Sequence, residues 1–90
     1  MQVDVYRFEF DPRISLAEAE ETLHLARFAS EGLLSRVRIR LDFAYYVDET
    51  RQALLVDGTT KAGHVIVRIF TALALREFGE HGFTVRRVDA

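Results

Sequence analysis

The chain has no cysteine, one proline and only five glycines in 90 residues. Without thiols, disulfide stapling, thiolate catalysis and cysteine-based metal sites are excluded. The shortage of proline and glycine, beside a hydrophobic share of 49%, excludes a disordered chain and points to one folded domain without room for a second core. No segment approaches the ~18 apolar residues that a membrane span needs, and Met1, Gln2, Val3 and Asp4 carry neither the basic start nor the apolar run of a signal peptide. A cytoplasmic protein without membrane contact is expected. An excess of positive charge is missing too. Twelve lysines and arginines face 14 acidic residues, a formal net charge of −2, which excludes a uniformly basic nucleic-acid binder and leaves room only for a local patch.

What is present is an alternation of two hydrophobic periods that spells strand, helix, strand, strand, helix, strand. From Gln2 to Phe10, Tyr6, Phe8 and Phe10 share one side of a strand, and Val3, Val5, Arg7 and Glu9 share the other. Asp11 and Pro12 break it. Ser15 followed by Glu18 is a capping box that starts a helix at Leu16, running to Glu31 with Gly32 as a left-handed stop. Its buried stripe is expected to hold Leu16, Ala19, Leu23 and Ala26, widened by Leu25, Phe28 and Ala29. Between Leu34 and Val47, Val37, Ile39, Leu41, Phe43 and Tyr45 alternate with Arg36, Arg38, Arg40 and Asp42, which predicts a strand with one core face and one charged face. A turn at Asp48–Arg51, a strand at Gln52–Val56, a helix at Lys61–Glu80 ending at His81 and Gly82, and a strand at Phe83–Val88 complete the chain. The simplest closure is an α+β, ferredoxin-like split βαβ, a four-stranded antiparallel sheet in the order 4-1-3-2 with both helices on one face. That scaffold hosts many unrelated activities.

Three regions could act on a partner. The first is the open sheet face, where Val3 and Val5 are expected beside Arg36, Arg38 and Arg40, joined by Arg7, Arg86 or Arg87. It resembles the geometry of RNA-binding sheets without their motif, because the aromatic residues of the first strand point inward. The second is the start of the second helix. There Lys61, His64 and Arg68 fall on one face beside the Gly58, Thr59 and Thr60 turn, a set able to receive an anion. Gly58 and Gly63 have the spacing of a phosphate loop, but His64 and Val65 replace its lysine and hydroxyl, so nucleotide hydrolysis is not expected. The third is the second helix itself, apolar around most of its circumference, with Val67, Ala74 and Leu75 on a flank suited to a subunit interface.

No histidine pair has metal-ligand spacing, no hydroxyl has a sequence-local base, and no cofactor is implied. Acylphosphatase-like enzymes share the size and expected topology, but the loop from Asp11 to Ser15 lacks their glycine-rich phosphate cradle. The expected function is therefore a non-enzymatic interaction domain that self-associates or joins a larger assembly. A nucleic-acid-binding accessory protein and a small anionic-ligand sensor are the alternatives.

Overall fold

Why the two long helices form is visible in their caps. Ser15 Oγ accepts from the Glu18 amide at 3.4 Å to open helix α1, Leu16–Ser30, and Thr60 Oγ1 accepts from the Gly63 amide at 3.0 Å to open α3, Lys61–Phe78. Between them lie a short helix α2, Arg36–Asp42, and strands β2, Tyr45–Asp48, and β3, Ala53–Asp57; β1, Val5–Phe10, and β4, Phe83–Val88, flank the whole. The computed structural model describes residues 3–88, and the Gln2 start expected for β1 lies outside them.

The four strands form one antiparallel sheet in the order β2-β3-β1-β4, with β1 and β3 central. Phe8 lies opposite Leu54 and Val85, and Phe10 opposite Phe83, so their side chains share a face. That face is the core. Phe8, Phe10, Leu54, Val56 and Phe83 pack with Ala19, Leu23 and Ala26 of α1, Ile39 of α2, and Ile66, Phe70 and Ala74 of α3. Phe8 meets Phe70 edge to face at a centroid distance of 4.7 Å, a geometry that adds to the burial energy of both rings. The aromatic side of β1 therefore faces the helices, as its alternation predicted.

Three sequence expectations are corrected. The segment from Arg36 to Asp42 is helical, because Ser35 Oγ caps the Arg38 amide at 3.1 Å and Arg38 pairs with Asp42 one turn on at 3.8 Å. Only Ile39 of its alternating apolar residues is buried; Val37 and Leu41 are exposed. In α1, Leu25, Phe28 and Ala29 do not widen the core stripe but point to solvent, since Ala19, Thr22, Leu23, Ala26 and Ser30 already fill the side that meets α3 and the sheet. The helix stops also differ. α1 ends at Ser30 without a left-handed Gly32, whereas α3 ends at Phe78, before the expected Glu80, with Gly79 at φ 77°.

Candidate functional site

The arginines at 36, 38 and 40 sit on α2 rather than on the sheet, so they spread around a helix instead of lining one face. At roughly 100° per residue, Val37 and Leu41 form an outward ridge opposite Ile39, flanked by Arg36 and Arg40 on one side and by Arg38 and Asp42 on the other. Thr60 anchors this helix. Its hydroxyl donates to the Asp42 carbonyl at 2.8 Å while capping α3, so one side chain joins the end of α2 to the start of α3.

Other large apolar residues at intervals of three to five along the chain are exposed as well. Leu25, Phe28, Leu33, Val37 and Leu41 are each 62% to 77% exposed, more than single surface hydrophobics account for. Leu25 also lines a groove of about 400 Å³ between α1 and α3, with Leu73, Thr22, Glu18, Glu21, Glu77 and Arg76. Three carboxylates over one guanidinium make that groove acidic.

The second surface is the side of the sheet away from the helices. Tyr46, Leu55, Arg7 and Arg86 stand in one cross-strand row, and Asp48, Ala53, Glu9 and Thr84 in the next. At the β2 edge, Val5, Leu55 and the 68%-exposed Tyr46 line a shallow apolar depression of about 260 Å³. Val3, just before β1, is exposed. Toward β4 the face turns cationic: Arg7, Arg51 and Arg86 surround a hollow of about 230 Å³ shared with Glu9 and Thr84. Arg7 and Arg86 were legible from strand alternation. Arg51 was not, because it arrives from the β2–β3 hairpin turn.

The other expected sites fare differently. Val67 and Ala74 are buried in the core and cannot form an outer flank; only Leu75 of that trio is exposed. Around the α3 start, the Gly58 amide donates to the Asp4 carbonyl, the Thr59 amide to the Asp57 carboxylate and the His64 amide to the Thr60 carbonyl. Those donors serve the fold, while Lys61, His64 and Arg68 remain exposed along α3.

A polar cluster joins α1 to β2: the one-turn spacing of Glu20 and His24 is legible in the sequence, whereas Tyr45, expected on a core face, reaches them only through the fold. Tyr45 Oη donates to Glu20 Oε2 at 2.6 Å, with His24 Nε2 at 3.4 Å from the hydroxyl and 3.9 Å from Glu20. Burial of the phenol, followed by its hydrogen bond to the Glu20 carboxylate, pushes the Tyr45 pKa up to about 12. The phenol therefore stays protonated at neutral pH and acts as a latch on the edge strand.

Among the described residues no helix is long and apolar enough to cross a membrane, and no group of three or more His, Asp and Glu residues comes together to hold a metal ion. Comparisons with protein-family models, curated proteins and solved structures gave no match, so a functional reading rests on these surfaces alone.

Proposed function

We propose that this chain is a non-enzymatic assembly domain that associates with further copies of itself, the α2 ridge of one copy lying in the α1–α3 groove of the next. The architecture is read as a ferredoxin-like split βαβ, order 4-1-3-2 from the β4 edge, with α2 added ahead of β2. The observation that carries the assembly reading is the run of five exposed large apolar residues between Leu25 and Leu41. A domain of 90 residues buries only roughly 60–65% of the surface its unfolded chain exposes, so covering such a run contributes a large fraction of its stability.

Charge favours a second copy as the cover. Arg36 and Arg40 flank the Val37–Leu41 ridge, and Glu18, Glu21 and Glu77 line the groove above Leu25 and Leu73. Ridge and groove are different patches, so the contact is heterologous and repeats into a ring or a filament. Light scattering after gel filtration tests it: the parent is expected above 10.3 kDa at micromolar concentration, and the Val37→Ser, Leu41→Ser double variant at that mass. A parent that is monomeric at tens of micromolar contradicts the reading.

A second reading, nucleic-acid binding, is favoured by one observation. Tyr46 is exposed in the same cross-strand row as Arg7 and Arg86, which offers one stacking ring beside two cations.

A further inference from the structure

We infer that the hollow between Arg7, Arg51 and Arg86 on the open sheet face binds a phosphate dianion, either free or as a small phosphate monoester. The helical flank takes no part in it.

Three features show a cluster short of negative charge. Arg7 and Arg86 are direct cross-strand partners, and like charges so placed repel. Glu9 Oε1 is 3.7 Å from Nη1 of both Arg7 and Arg51, beyond hydrogen-bonding distance, and Arg86 has no ion-pair partner among the described residues. The Arg7 side chain is only 19% exposed, so packing fixes its guanidinium beside the hollow.

The anion that suits this cluster has a definable chemistry. Three guanidinium groups against one carboxylate leave a net charge of +2, which matches the −1.5 to −2 of a phosphate monoester at neutral pH. Guanidinium forks suit tetrahedral oxyanions, and the Thr84 side chain at the rim adds a hydroxyl donor. At about 230 Å³ the hollow is smaller than the roughly 300–1,000 Å³ of pockets that enclose a drug-sized molecule, so it takes the phosphoryl group and leaves the remainder outside. That remainder would lie toward Leu55 and Tyr46, the next positions along the Arg7 row.

Calorimetric and NMR titrations at low ionic strength with inorganic phosphate, phenyl phosphate and acetate test the assignment. Saturable binding of both phosphates at low-millimolar concentration is expected, with acetate weaker and the amide shifts centred on Arg7, Thr84 and Arg86. Phenyl phosphate binding more tightly than inorganic phosphate would indicate the monoester as the ligand, and equal affinities the free anion. Arg51→Gln and Arg86→Gln, both exposed positions that leave the core intact, should each weaken binding about ten-fold. No saturable binding, or binding unchanged in both variants, overturns the proposal. So does a single-stranded oligonucleotide that binds where the phosphates do not, which would give the face to nucleic acid.

Discussion

Arg7 on β1 and Arg86 on β4 lie directly opposite one another on the open face of the sheet, a like-charge pair in a position where sheets ordinarily place opposite charges. Like charges directly opposite one another destabilise a sheet. Replacing Arg86 by Gln should therefore raise the stability of the free protein, by about 0.2–1 kcal/mol, while weakening anion binding. Urea unfolding at low salt measures the first effect, and 0.5 M salt should shrink it by screening. A variant less stable than the parent would mean that Arg86 has a structural partner.

Tyr45 and Glu20 give the fold an alkaline limit. The folded phenol titrates at about 12, above the value of roughly 10 for an unfolded tyrosine, so the latch contributes in full below pH 10 and is lost as pH rises through 12. Tyr45→Phe should be less stable than the parent at pH 8, and the gap should close as pH rises from 10 to 12. Equal gaps at both ends of that range would show that the hydroxyl is not held by Glu20.

Gly63 reverses the usual rule for glycine in a helix. Alanine at a helical glycine ordinarily stabilises by roughly 0.5–1 kcal/mol, but here a Cβ would collide with the Asp57 carbonyl oxygen. Gly63 lies in the capped first turn of α3, where its backbone passes directly against the end of β3. Gly63→Ala should destabilise by about 1–3 kcal/mol, as overpacking does elsewhere. An unchanged melting temperature would show that α3 can shift away from Asp57.

Much of the architecture was legible because burial enforces a period. Phe8, Phe10, Leu54 and Val56 alternate, and Ala19, Leu23 and Ala26 in α1, like Ile66, Phe70 and Ala74 in α3, recur at helical spacing, because each must reach one core. The segment from Arg36 to Asp42 defeated that logic. Its alternation satisfies a strand on paper, whereas the Ser35 cap and the Arg38–Asp42 pair favour a helix, and the core accepts only Ile39. Leu25 and Phe28 misled for a related reason: an apolar residue beside a buried stripe reads as core unless its covering partner is known to be absent. The arginine hollow was half legible. Strand alternation places Arg7 and Arg86 on one face, but nothing local to Arg51 tells that the hairpin turn carries it to Glu9.

The assembly reading stands or falls on the fit between the α2 ridge and the acidic groove, and a charge-reversal mixture tests that fit directly. One variant carries Arg36→Glu and Arg40→Glu on the ridge, and the other carries Glu21→Lys and Glu77→Lys in the groove. All four positions are exposed, so each variant should fold. Light scattering should find each alone at 10.3 kDa and an equimolar mixture at a higher mass, because every ridge then meets a groove of opposite charge. Single variants that associate like the parent, or a mixture that stays at the monomer mass, would contradict the account.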